Sequence, residues 1–244
     1  MAVTVMLRGF VVGAFLALLG GVTSTSAGPV GSQGGKDAYI LSFDRYVKDF
    51  QTASARSMVV GSASFAATGG KTSVPYGWMD FCGRRPEECK VPSLPAKSLK
   101  LTRETWNELD RINRQVNGFI VPEGNLEHWG TRLDHWDYPV DGKGDCKIYA
   151  LFKRKLLLDA GFPRQALLMT IVHDLNGEGH TILTVKTDRG EFVLDNLADV
   201  VRPWDATGYY FVKRQSQQNP NIWLSINLRG NAAVAAEKHR QLTN

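Results

Sequence analysis

A cysteine, a histidine and an aspartate in that chain order can supply the nucleophile, the general base and the orienting group of thiol catalysis. Cys146, His180 and Asp195 stand in that order here. Cys146 follows Gly142-Lys143-Gly144-Asp145 and opens a stretch that runs to Ala160, where Gly161 and Pro163 are stop signals. Asp145 is a natural N-cap, so Cys146 falls at the first helical position. There, free N–H groups and the positive end of the helix dipole stabilise a thiolate.

The other two residues need strands to bring them together. Three segments rich in β-formers, Ala166 to His173, His180 to Thr187 and Glu191 to Leu197, are joined by Asp174-Leu175-Asn176-Gly177-Glu178-Gly179 and Asp188-Arg189-Gly190. They predict an antiparallel meander. If the second hairpin closes through the four residues Thr187 to Gly190, Lys186 faces Glu191. His180 and Asp195 then become diagonal neighbours on one face; a three-residue loop would put them on opposite faces. Each residue alone also has a structural explanation: a buried Cys, a turn-flanking His, a strand-end Asp acting as a cap. Their joint placement favours chemistry.

The two remaining cysteines lie in Cys82-Gly83-Arg84-Arg85-Pro86-Glu87-Glu88-Cys89, where Gly and Pro supply a bend. A local disulfide is the simple reading. Zinc is the alternative, but no second pair of Cys or His follows at ligand spacing. From Leu101 on, Trp106, Leu109, Ile112, Val116 and Ile120 recur at helical steps. Leu126-Glu127-His128-Trp129 is echoed by Leu133-Asp134-His135-Trp136; on a helix the two His would share a face about 10 Å apart, too far for one metal ion. Packing is the reading taken for them. Asp37 to Thr52 suggests a short helix, Ala53 to Pro95 a loop-rich stretch with strand fragments, Gly208 to Val212 and Asn221 to Leu228 further strands, and Asn231 to Leu242 a terminal helix whose His239 faces solvent.

The N-terminus reads as an export signal. Met1 to Arg8 carries one positive charge, Gly9 to Val22 is apolar or glycine throughout, and Thr25 and Ala27 offer small side chains for cleavage after Ala27. The run is short of the roughly 20 residues a membrane span needs. Residues 28–36 read as a flexible leader and 37–244 as one domain, in a periplasmic or secreted protein with no stable membrane span. The 244 residues carry 29 Lys+Arg against 24 Asp+Glu, a net charge of +5. The basic residues never cluster beyond Lys153-Arg154-Lys155, so nucleic acid is not an expected partner.

These features resemble the bacterial transglutaminase-like cysteine proteinases, a papain-like group exported by Gram-negative bacteria. The residues that carry the resemblance are Asp80-Phe81-Cys82, Glu87-Glu88-Cys89, Val116-Asn117, Trp136 with Pro139, Gly144-Asp145-Cys146, Gly179-His180, Leu194-Asp195-Asn196, Lys213-Arg214-Gln215-Ser216 and Trp223. The resemblance implies an α+β fold with a papain-like or transglutaminase-like core: a helix with the Cys at its N-terminus, packed on an antiparallel sheet that carries His and Asp. It implies Cys146 as nucleophile, His180 as base and acid, and Asp195 as the residue orienting the imidazole. The expected activity is a cysteine peptidase on a protein or peptide, working through a thioester. Capture of that thioester by an amine, as in a crosslinking transglutaminase, and a catalytically silent peptide-binding domain are the alternatives. For the oxyanion, the Cys146 N–H and a second donor, Trp136 or Asn117, are candidates; core packing and a helix-end cap are the competing roles of those two.

One branch of that family is a calcium-dependent periplasmic endopeptidase that trims a surface adhesin and carries acids on both sides of its cysteine. Here Asp145 is kept, but Lys147 replaces the second acid. Calcium wants several oxygen ligands, and a cation repels it. The expectation is therefore no cofactor and no metal, with neither calcium dependence nor the adhesin role; Asp141 solvates a loop and Asp145 caps a helix.

Overall fold

The computed structural model describes Phe43 and residues 63–226. The signal segment 1–27, the leader 28–36 and the expected terminal helix over 231–242 lie outside the described residues, as does all but Phe43 of the helix expected over 37–52.

The architecture is α+β. Seven strands, β1 (Thr68–Thr72), β4 (Leu167–His173), β5 (Gly179–Thr187), β6 (Gly190–Asp195), β7 (Ala198–Pro203), β8 (Tyr210–Gln215) and β9 (Trp223–Ile226), form one antiparallel sheet in the order β1-β9-β8-β4-β5-β6-β7. Two short strands, β2 (Val121–Pro122) and β3 (Lys143–Gly144), pair in parallel apart from it. The period of two along the central strands explains their burial on both faces. Leu183, Val185, Phe192 and Leu194 pack into the larger core with the helices, while Ile182 and Val193 join Val172, Phe211 and Trp204 on the other face.

Among the residues 63–226 the helices are α1 (Tyr76–Arg84), α2 (Pro86–Cys89), α3 (Arg103–Phe119), α4 (Asn125–Trp129) and α5 (Cys146–Asp159). Thr102 and Thr105 form a capping box at the start of α3, whose Trp106, Leu109, Ile112 and Val116 are buried. Helix α5 begins under the Asp145 cap, and Gly161 continues the chain beyond it at φ 84°. It packs on α3, β5 and β6. Of the basic triplet at 153–155, Lys153 and Arg154 are buried in the core rather than forming a surface patch.

Two expectations are corrected. Residues 76–89 are helical rather than loop-rich: Pro75 and Pro86 open two short helices, and Trp78 and Phe81 turn inward. The Cys82–Cys89 disulfide closes between them with Cα atoms 5.4 Å apart. The His128 and His135 doublet does not share one helix, because α4 stops at Gly130, which takes the left-handed conformation at φ 66°. The two rings instead pack about Trp129, with centroids 4.1 and 4.3 Å from it. The β7 strand is an element that sequence patterning does not announce: its residues are half-exposed and carry Pro203.

Candidate active site

The start of α5 sets the cysteine. Asp145 is extended, and its Oδ1 accepts from the Lys147 N–H at 3.2 Å, which leaves Cys146 as the first helical residue, partly buried and outside any disulfide. Gly144 must be glycine for this approach, since a Cβ there would stand 2.6 Å from Cβ and Cγ2 of Ile148 on the first turn.

Strands β5 and β6 pair with Lys186 opposite Glu191 and Leu183 opposite Leu194, the register of the four-residue turn. His180 and Asp195 meet at the open end of that pair. His180 Nε2 is 2.8 Å from Asp195 Oδ1, and the two residues are 6% and 3% exposed, so little water competes for the contact. Burial pulls the imidazole pKa down, but hydrogen bonds to Asp195 and to Cys146, with their negative charges, raise it to about 9. Burial pushes the Asp195 carboxyl up, while His180, Tyr209 and the Leu197 N–H more than reverse this and hold it below the usual carboxylate range. The arrangement places a thiol at a helix N-terminus, an imidazole whose proton is favoured by that thiol's charge, and a buried carboxylate bonded to the imidazole.

Both oxyanion candidates are engaged elsewhere. The Trp136 indole N–H donates to Asp134 Oδ2 at 2.7 Å, and the ring is fully buried edge-on to Trp78 and Trp223. The Asn117 amide donates to the Asp195 carbonyl at 3.0 Å, to the Ala198 carbonyl and to Asp199 Oδ1. Asn117 thus stitches the turn after Asp195 to α3.

Several supporting residues escape a reading of the sequence. The Tyr209 hydroxyl donates to Asp195 Oδ2 at 2.6 Å, and its ring stands edge-on to His180 with centroids 5.8 Å apart. Asn113, one turn before Asn117 on α3, accepts from the Asp195 N–H and from the buried Lys153 ammonium, and donates to the Ala198 and Asp199 carbonyls. The spacing of Asn113 and Asn117 was the available signal, since an amide inside an apolar helical stripe needs a polar partner. Nothing local marks Tyr209. Lys147, the second residue of α5, lies with Nζ 2.5 Å from Asp145 Oδ2 and 3.0 Å from Asp134 Oδ1. Among the described residues no group of three or more His, Cys, Asp and Glu is arranged to hold a metal ion, and no helix is long and apolar enough to cross a membrane.

No curated protein matches the sequence. Solved structures of LapG from Legionella pneumophila are similar to it. One in an EGTA-treated state and one without stated treatment are each 25% identical, with a TM-score of 0.41, covering 48% of this chain and 66% of theirs. The match thus spans just under two thirds of those relatives. A calcium-bound LapG is 19% identical with a TM-score of 0.43, over 75% of this chain and 87% of its own. Residues 68–231, more than half of the sequence, match the family model of the bacterial transglutaminase-like cysteine proteinases, and the chain belongs to that family.

Proposed function

We propose that this protein is a cysteine peptidase in which Cys146 is the nucleophile, His180 the proton carrier and Asp195 the residue that orients it. The observation that carries this reading is His180 held between Asp195, at 2.8 Å, and the thiol at the start of α5. Membership of a cysteine proteinase family supports it and makes a protein the substrate class.

The steps follow from that geometry. The Cys146 thiolate, paired with the His180 imidazolium, attacks the amide carbonyl carbon, and a C–S bond forms as the carbonyl oxygen becomes an oxyanion. The Cys146 backbone N–H, unpaired at a helix start, donates to that oxygen. Collapse breaks the C–N bond, and the imidazolium gives its proton to the leaving amine. Water then attacks the thioester as His180 takes its proton; the C–S bond breaks, the carboxylic acid product leaves, and the proton returns to the thiol–imidazole pair. Asp195 keeps its charge throughout and fixes the ring by its bond to Nε2, leaving Nδ1 for the sulfur. The export-signal pattern read in the sequence at 1–27 supports a periplasmic or secreted location as part of the same proposal.

The test is chemical. Iodoacetamide should alkylate Cys146 at pH 6 to 7, well below the range of about 8.5 where an ordinary thiol ionises, and His180→Ala should slow this at least tenfold. Cleavage of an unfolded protein substrate should vanish in Cys146→Ala. A thiol that reacts only as a free cysteine does, or cleavage that survives Cys146→Ala, would sink the proposal. Incorporation of an added amine into substrate in place of hydrolysis would assign the site to amine transfer.

A further inference from the structure

Helix α5 starts between two carboxylates and one ammonium, and every oxygen of those carboxylates has a donor. Asp145 Oδ1 accepts from the Lys147 N–H and Oδ2 from Lys147 Nζ; Asp134 Oδ1 meets the same Nζ and Oδ2 takes the Trp136 indole N–H. Of the other nearby acids, Asp137 is paired with Arg84 and Arg85, and Asp141 is 3.0 Å from His128 Nε2 and accepts from the Lys143 N–H. The Lys147 side chain is only 14% exposed. Calcium needs six to eight oxygen ligands with compensating negative charge. A pair of carboxylates already bridged by a buried cation does not supply them, so these residues do not fit the ion that one branch of the family uses.

We propose that the Lys147 ammonium is the resident cation of this site: it joins Asp134 to Asp145, ties the Trp136 segment to the start of the nucleophile helix, and stands in place of a divalent metal ion. The segment from Asp134 to Trp136 has little regular structure of its own to hold it, whereas Trp136 must seat its indole against Gly77 of α1, whose Cα leaves no space for a Cβ. A cation shared by the helix cap and that segment couples the two. The charge is secure. Burial works against the ammonium, but Cys146, Asp145 and Asp134 outweigh it and hold its pKa above the ordinary lysine value. The ion pair is intramolecular and adjacent in sequence to Cys146, so it forms with the fold and has no concentration dependence.

The test uses the wild-type mature protein first, because that arm needs no variant to fold. Calorimetric titration with calcium chloride to roughly millimolar, the range of weak protein sites, should give no binding heat. The melting temperature and the rate of Cys146 alkylation should be the same in excess EGTA and in calcium. Lys147→Met should then slow alkylation about tenfold and lower the melting temperature by several degrees, the scale of a lost buried ion-pair partner. Lys147→Arg, which keeps the charge and two-pronged donation, should restore most of both. Calcium binding by the wild type with loss of stability in EGTA would overturn the proposal, as would a Lys147→Met protein that melts and alkylates like the wild type. Melting and binding heats need no turnover, so this outcome is separate from whether Cys146 is a peptidase nucleophile.

Discussion

Asp195 has no spare oxygen. Oδ1 meets His180 Nε2 and the Leu197 N–H, and Oδ2 takes the Tyr209 hydroxyl, so the carboxylate can turn neither toward solvent nor away from the imidazole. This sets the pH profile of the site. Peptide cleavage needs an imidazolium to protonate the leaving amine, and His180 keeps its proton until about pH 9, so kcat/KM should fall above that value. Asp195→Asn removes the charge that raises the imidazole; its alkaline limb should move toward pH 6.5 and its kcat should drop by roughly two orders of magnitude or more. A pH–rate series on both proteins checks this. Tyr209→Phe deletes a single hydroxyl and should cost about 1–3 kcal/mol, read as a melting point several degrees lower and kcat/KM reduced roughly tenfold. The three residues proposed to react could be picked from the sequence by type and order. Tyr209 could not, because its role depends on the loop before β8 carrying its hydroxyl to the end of β6, although β4 and β5 lie between those two strands in the sheet, and no local pattern encodes that.

The elements around the site differ in how openly the sequence declares them. The β4–β6 meander was legible: apolar residues and Gly-bearing turns mark its strands, but two registers stayed open until the structure showed the four-residue turn that joins His180 to Asp195. Helix α5 was legible from its cap and its Gly–Pro stop. Helices α1 and α2 were not, since nine and four residues are too few for a periodic signal, and what holds them is tertiary: buried Trp78 and Phe81, the disulfide, and Asn221, which accepts from the Trp78 indole and donates to the Cys89 carbonyl. The His doublet reads as packing, and both rings do pack on Trp129, although not from one helix, since α4 stops at Gly130. Two expectations belong at this level. Gly144→Ala drives a Cβ into the branched side chain of Ile148, which cannot rotate away; a shifted helix start, worth about 1–3 kcal/mol, should appear as a lower melting point together with slower Cys146 alkylation. Asn113→Ala takes the side-chain oxygen that accepts from Lys153 Nζ and frees the Asp195 N–H and the turn after it, so it should destabilise by about 3 kcal/mol or more, measured by urea unfolding.

The molecule as a whole carries a buried base beneath its active-site turn. Burial draws Lys153 down to about 7, only partly opposed by the Asp195 and Asp199 carboxylates, whereas the unfolded chain holds that proton to about 10.4. From about pH 7 to 10 the unfolded state therefore binds the extra proton, and the lysine's penalty on folding is relieved as pH rises. Lys153→Met should accordingly raise the melting temperature most below pH 7, with the gain shrinking toward pH 10; a gain independent of pH would contradict it. The sheet has a different property at its far edge. Among the described residues strand β1 pairs with β9, with Thr68 opposite Ile226, and just before β1 Ala63 and Ser64 are hydrogen-bonded to Arg189 and Glu191 at the β5–β6 turn. Tension that enters through Ala63 therefore loads those contacts first, and the β1–β9 ladder opens one hydrogen bond at a time, like a zipper, only once they have parted. An unfoldase or a stretched tether acting on the leading end would have to part Ala63 and Ser64 from Arg189 and Glu191 before it reached β1, so its pull arrives first at the β5–β6 hairpin that carries His180 and Asp195.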